Sequence, residues 1–255
     1  MNLDEYFERI GYRPGSARNV TELHALTRAH AQSIPFENID VLQGRPISLE
    51  LADIVDKLVR KRRGGYCFEQ NGLFMHVLKQ LGFVARPLGA RVRLRCGDRN
   101  EIPPRTHLFV LVEVDGQQWL TDVGVGGFSL TAALLWQDGL EQQTPHDCRR
   151  LVWEDGRWFH QVRQGNGWLD LYEFDGLPMC LSDQSVANWY TSTHPDSTFK
   201  EQLVMARADA DGSRLAVLGN EFRVRNQEGE VSTASLAEAD LIALAREKFN
   251  LEWPC

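Results

Sequence analysis

The hydrophobic pattern of this chain changes period at Gly82, and that change constrains the fold more than any other feature. Before Gly82, apolar residues recur at helical spacing over residues 3–10, 21–26 and 51–60, and again in a run opened by Cys67 that continues through Leu73-Phe74-Met75-His76-Val77-Leu78. Recurrence every three to four residues puts one apolar stripe on each helix. Gly11, Pro14-Gly15, Pro35, Gly44 with Pro46, and Gly64-Gly65 punctuate these helices. After Gly82, residues 90–95, 106–114 and 118–123 show the period of two that leaves a strand with an inner and an outer face. Further strands are expected at 150–153, 158–162 and 168–174, each bounded by Gly or Asp-Gly turns. A short helix at 182–190 follows, then strands at 199–206, 214–218 and 221–224 and a closing helix at 236–249. The expectation is an α+β chain with a helical bundle over 1–83, a sheet or small barrel over 84–192 and an α/β part over 193–255, packed as one unit.

Composition removes several function classes. Of 255 residues, 43% are hydrophobic and 25% charged, and no apolar run reaches the roughly 20 residues that cross a bilayer. The start, Met1-Asn2-Leu3-Asp4-Glu5-Tyr6, lacks the basic-then-apolar order of a secretion signal, so a cytoplasmic location is expected. A net charge of −7 argues against a nucleic-acid partner, which needs a field of lysine and arginine. Arginine is still locally dense, in Arg60-Lys61-Arg62-Arg63 and at Arg86, Arg91, Arg93, Arg95 and Arg99. These are either solvated faces or a basic zone that draws an anionic, phosphate-bearing substrate. Cys67, Cys96, Cys148, Cys180 and Cys255 are odd in number, far apart and without CxxC spacing, which indicates neither zinc nor a disulfide frame.

The stretch Arg63-Gly64-Gly65-Tyr66-Cys67-Phe68-Glu69-Gln70-Asn71 places one cysteine between a glycine pair and a helix. Glycine permits a sharp turn there, and a cysteine in the first helical turn gains thiolate character from unpaired N–H groups and the helix dipole. A cysteine that only packs is the alternative. A thiol nucleophile also needs a base and a group that orients the base. If Asp115-Gly116 is a two-residue type I′ turn, Val114 faces Gln117, His107 faces Gly124 and Phe109 faces Asp122. His107 and Asp122 are then diagonal neighbours on one face, roughly 7–8 Å apart at the backbone. His24, His30, His76, His146 and His160 have no acid at comparable spacing and are read as structural. The segment Gly124-Val125-Gly126-Gly127 can bring N–H groups to a phosphate or an oxyanion, although it spells neither a Walker loop nor a dinucleotide fingerprint. From these residues the function is cysteine-dependent acyl transfer. A cysteine hydrolase, a transglutaminase-like acyltransferase and a catalytically silent ligand-binding protein remain open.

Five motifs in this order, Ile34-Pro35-Phe36-Glu37-Asn38, the cysteine stretch, Arg105-Thr106-His107, Thr121-Asp122-Val123-Gly124 and Ser192-Thr193-His194-Pro195, resemble the arylamine N-acetyltransferases, including bacterial N-hydroxyarylamine O-acetyltransferases. The resemblance spans nearly the whole chain. It implies a helical first domain, a β-barrel second domain and an α/β lid, with a cysteine-protease-like Cys-His-Asp core at Cys67, His107 and Asp122. It implies acetyl-CoA as acyl donor, arylamines or aryl hydrazines as acceptors and an acetyl-cysteine intermediate, with no metal and no tightly bound cofactor. By similarity, Gly124, Gly126 and Gly127 lie near the donor's diphosphate, with Thr106 and Phe199 as neighbours. Phe36, Phe68 and Val125 would line the acceptor pocket, and Arg63 and Glu37 would hold the cysteine loop.

Overall fold

The first two helices start at asparagine caps. The computed structural model describes residues 1–254, and Cys255 lies outside the described residues. In α1 (Leu3–Ile10) the Asn2 side chain accepts from the Asp4 N–H at 2.9 Å, and the helix stops at Gly11 in the left-handed conformation, φ 63°. In α2 (Val20–Ser33) Asn19 caps the Glu22 N–H at 3.0 Å. The two-residue strand β1 (Phe36–Glu37) and the single turn α3 (Ile39–Leu42) follow. The helix expected at 51–60 is α4 (Leu51–Val55) continuing into a π-helical turn, Asp56–Arg60. The wider turn sets Lys57 Nζ 2.7 Å from both Asp40 and Glu69. Next comes α5 (Cys67–Gln80), with Cys67 as its first residue.

The middle of the chain forms β2 (Val84–Val92), β3 (His107–Val114), β4 (Gln117–Thr121), β5 (Leu134–Leu135), β6 (Gln142–Gln143), β7 (Cys148–Glu154), β8 (Arg157–Gln164) and β9 (Gly167–Phe174). They make an antiparallel sheet of order β5-β4-β3-β2-β9-β8-β7-β6. Its edges meet, because the Gln142 side chain donates to Leu135 O at 3.0 Å and accepts from the Leu135 N–H at 2.7 Å. The result is a nearly closed barrel. β2 begins at Val84 rather than at residue 90, since Pro87 and Gly89 interrupt the alternation that marks a strand.

β3 is buried on both faces. Val110, Val112 and Val114 pack with Leu73, Phe74 and Val77 of α5, while Phe109 and Leu111 face Leu120, Leu151 and Tyr172 inside the barrel. Complete burial of Phe74 contributes up to about 3 kcal/mol. The strand is thereby clamped between two cores, and His107 is its first residue. At the other end Asp115 (φ 51°) and Gly116 (φ 72°) are both left-handed, as a type I′ turn requires. The register runs from Val114↔Gln117 to Val110↔Thr121, as the turn dictates. The ladder ends there, because Asp122 O accepts from the Leu130 N–H at 2.7 Å and the chain leaves the sheet.

The last third contains α6 (Leu181–Thr193), β10 (Val204–Ala208), β11 (Arg214–Leu218), β12 (Glu221–Arg225), β13 (Val231–Ser235) and α7 (Glu238–Phe249). The strand expected at 199–206 is divided, with a 3₁₀ turn at Thr198–Lys200 ahead of β10. β13 is exposed along its length, so it carries no apolar alternation to mark it. The second sheet has the order β1-β10-β11-β12-β13, with Phe36 opposite Ala206 and Glu37 opposite Met205. We propose 1–83, 84–192 and 193–255 as three parts of the chain, with β1 lent by the first to the sheet of the third.

Candidate active site

Gly64 and Gly65 prepare the start of α5 by close approach, not by unusual backbone angles. Neither has a left-handed φ; Arg62 does, at 50°. A Cβ on Gly64 would stand 2.1 Å from Pro35 O, and one on Gly65 2.5 Å from Glu69 Oε2. The glycines let the chain run beside β1, where the Glu37 N–H donates to Gly65 O at 3.1 Å. Glu69 Oε2 then accepts from the Tyr66 N–H at 3.0 Å and caps the helix one residue before Cys67. Arg63 secures the same loop, with Nη2 2.7 Å from Glu37 Oε1 and 3.2 Å from Asp40 Oδ1.

Cys67 is buried at the foot of a cleft, and its thiol donates to Thr106 O at 3.7 Å. His107 Nε2 lies 2.7 Å from Asp122 Oδ2, and His107 and Cys67 border the same cleft. Burial alone would lower the His107 pKa; the Asp122 carboxylate and Cys67 outweigh it and hold the imidazolium up to about 10. Burial likewise opposes a charged Asp122, yet His107, Asn71 and the Gly124 N–H keep its carboxyl below the usual range. Tyr172 packs over His107 with ring centroids 5.0 Å apart.

Asn71 and Gln70 hold this arrangement and had no role assigned from sequence. Asn71 Nδ2 donates to Asp122 Oδ1 at 2.9 Å and to Leu108 O at 2.7 Å, while its Oδ1 accepts from the Val123 N–H at 3.0 Å. Gln70 Nε2 donates to Pro35 O at 2.7 Å, and His30 Nε2 stands 2.6 Å from Gln70 Oε1. Both lie one helical turn beyond Cys67, at i+3 and i+4, on its side of the helix. That spacing was the available signal.

The cleft has a volume of about 500 Å³. Cys67, Thr106, His107, Gly124, Gly126, Gly127 and Phe199 border it, together with Phe36 and Val125. Asp122 is fully buried behind His107. Phe68 departs from the expected acceptor pocket: it is buried against Tyr66, with centroids 5.7 Å apart, and does not border the cleft. One helical step turns it about 100° away from Cys67. Gly124 has a second role, since a Cβ there would stand 2.8 Å from Cys67 Cα and 2.7 Å from Asn71 Nδ2.

The arginines that drew attention in sequence are committed elsewhere. Arg93 pairs with Glu173 at 2.8 Å, Arg99 with Asp170 at 2.7 Å and Arg95 with Glu201 at 3.0 Å; Arg91 donates to Pro103 O at 2.7 Å, and Arg86 is exposed. The arginines bordering the cleft are Arg214, Arg223 and Arg225. Among the described residues no group of three or more His, Cys, Asp or Glu side chains is arranged to hold a metal ion, and no helix is long and apolar enough to cross a membrane.

A buried thiol, an imidazole and a carboxylate at the foot of a mostly apolar cleft define a site of the acyl-transfer kind, and the family model described as N-acetyltransferase matches residues 19–254. The arylamine N-acetyltransferase of Escherichia coli (strain K12) is 40% identical over 250 residues, covering 98% of this chain and 88% of that relative. The arylamine N-acetyltransferase / N-hydroxyarylamine O-acetyltransferase of Salmonella typhimurium is 39% identical over 98% of this chain and 88% of its own length. The solved structure of Mycobacterium marinum arylamine N-acetyltransferase in complex with CoA superposes with a TM-score of 0.93 at 34% identity, covering 98% of this chain and 93% of that one. The chain belongs to the arylamine N-acetyltransferase family.

Proposed function

We propose that this chain transfers an acetyl group from acetyl-CoA to the nitrogen of arylamines and aryl hydrazines, or to the oxygen of N-hydroxyarylamines, through an acetyl thioester on Cys67. The observation that carries the proposal is the pairing of His107 with Asp122 at 2.7 Å beside a cysteine that opens on the same cleft. In the first displacement Cys67, as a thiolate beside the His107 imidazolium, bonds through Sγ to the thioester carbonyl carbon. The bond from that carbon to the sulfur of CoA breaks, and CoA leaves with the proton from His107. In the second, the acceptor nitrogen bonds to the carbonyl carbon and the Sγ–carbon bond breaks. His107 takes the nitrogen's proton, and Sγ leaves as the thiolate, which restores the starting pair. Asp122 fixes the ring tautomer and stabilises the imidazolium in both halves. The N–H groups of the first turn of α5 supply hydrogen bonds to the tetrahedral oxyanion.

A thiol suits this reaction because exchange between two thioesters costs little free energy, and the acetyl group stays reactive toward a weakly basic aryl nitrogen. Phe36 and Phe199 give the cleft flat aromatic walls suited to aromatic acceptors, and Val125 adds apolar surface beside them. The names of the relatives support the same donor and acceptor classes. The proposal extends to a cytoplasmic location, where thiols stay reduced; Cys67, Cys96, Cys148 and Cys180 are all free.

Initial rates with acetyl-CoA varied at several fixed arylamine concentrations test the mechanism. Parallel double-reciprocal lines are expected for two displacements through a covalent intermediate. Intersecting lines would refute it, and equal consumption of acetyl-CoA without amine would identify a hydrolase instead.

A further inference from the structure

Lys57 is a largely buried lysine that the two displacements do not use. Its Nζ lies 2.7 Å from both Glu69 Oε1 and Asp40 Oδ2. Asp40 Oδ1 lies 3.2 Å from Arg63 Nη2, which pairs with Glu37 at 2.7 Å. Among the described residues Lys57 is the only cation within ion-pair distance of Glu69. Glu69 is itself buried, and its other oxygen, Oε2, accepts from the Tyr66 N–H at 3.0 Å. The two oxygens of one carboxylate therefore join Lys57 to the residue that precedes Cys67.

The same lysine holds the other end of the cysteine loop. Within the π-helical turn its carbonyl accepts from the Arg63 N–H at 3.0 Å, so residues 63–66 are strung between Lys57 O and the Glu69 cap. Gly65 lies close against that carboxylate, where a Cβ would stand 2.5 Å from Oε2, and the loop follows wherever Glu69 is seated. Burial pushes the Glu69 carboxyl up, and Lys57 leads the groups that oppose the rise. A neutral cap would hold the Tyr66 N–H roughly half as strongly as an ionised one. Neither Lys57 nor Glu69 borders the Cys67 cleft; both border a separate hollow of about 240 Å³. Any effect of the pair on turnover must pass through the loop.

We propose that Lys57 is a positioning residue for Cys67: it seats the Glu69 carboxylate on the Tyr66 N–H and so fixes where the thiol enters the cleft. The proposal rests on the acyl-transfer function above and adds to it a residue that touches neither substrate. A buried ion pair contributes little net stability, because desolvation of both charges offsets their attraction, whereas removal of one partner strands the other. The effect of Lys57 therefore falls on the placement of Sγ, and it depends on Glu69 being present as a carboxylate.

The test follows CoA release after rapid mixing of the purified chain with acetyl-CoA in the absence of amine. The amplitude of the burst counts the folded chains, and its rate constant reports how well the thiol is placed. In Lys57→Met the rate constant is expected to fall roughly tenfold, within the loss that a shift of a reacting group by up to ~1 Å produces, with the inhibition constant of CoA unchanged. Lys57→Arg recovers part of the rate. Lys57→Met/Glu69→Gln recovers most of it, because the amide oxygen still accepts from the Tyr66 N–H and no charge is stranded. A smaller amplitude at the wild-type rate constant in Lys57→Met would reduce the lysine to a support for folding and overturn the proposal. A double variant as slow as Lys57→Met would overturn it too. Should Lys57→Met fail to fold, the double variant decides alone: a rate constant near wild type supports the role of Lys57, and one about tenfold lower refutes it. A wild-type chain with neither burst nor transfer refutes the reaction itself, whereas a normal wild-type burst with an unaffected Lys57→Met refutes the role of Lys57 alone.

Discussion

Gly124→Ala should disable the site through one methyl group. Built on the existing backbone, that methyl stands 2.8 Å from Cys67 Cα, about 0.6 Å inside the 3.4 Å at which ordinary contact begins. It also stands 2.7 Å from Asn71 Nδ2. Cys67 Cα is backbone at a capped helix start and cannot swing aside as a side-chain tip could, so the strain falls on the segment after β4. That segment carries Asp122, whose Oδ1 accepts from the Gly124 N–H at 3.0 Å. Overpacking of this kind costs about 1–3 kcal/mol, and displacement of reacting groups by up to ~1 Å lowers turnover by up to about 100-fold. Steady-state acetylation of an arylamine and urea unfolding, measured on the same preparations, give both quantities. Gly97→Ala, away from the cleft, is the control, because its methyl would meet nothing within 4 Å. Wild-type turnover and stability in Gly124→Ala would refute the packing argument.

Asn71→Ala removes hydrogen bonds to Asp122, Leu108 O and the Val123 N–H; kcat should fall about tenfold or more, and unfolding should be easier by about 1–3 kcal/mol. The raised pKa of His107 gives a second prediction. Its contribution to stability is complete below the ordinary histidine pKa of about 6.5 and is lost as pH rises toward about 10. Urea unfolding of wild type and His107→Gln should show the gap between them shrinking over that range; a gap that widens would contradict the assignment.

Local chemistry was the legible part of this chain. Asp115-Gly116 fixed the hairpin register, which brought His107 and Asp122 to one face although the ladder itself stops at Thr121. The helix opened by Cys67 was visible from its apolar spacing. What depended on distant chain was hidden. Gly64 is small because Pro35 and Glu37 pass beside it, a contact that backbone angles do not announce, and Gly65 because the Glu69 side chain folds back against it. β1 itself joins a strand that begins at Val204, and no local pattern encodes that pairing. Of the arginines dense in sequence, Arg93, Arg95 and Arg99 are spent on ion pairs, whereas those at the cleft are scattered over β11 and β12 and gathered by the sheet. Phe68 shows the same limit at short range, since adjacency to Cys67 in sequence places it on another face of the helix.

The central claim is that Cys67 carries the acetyl group. Intact and peptide mass spectrometry of the chain mixed with acetyl-CoA, without amine, tests it directly. One acetyl group on the peptide containing Cys67, discharged when an arylamine is added and absent from Cys67→Ala, is the expected result. An unmodified Cys67 in a chain that turns over acetyl-CoA and arylamine, or normal transfer by Cys67→Ala, would contradict it.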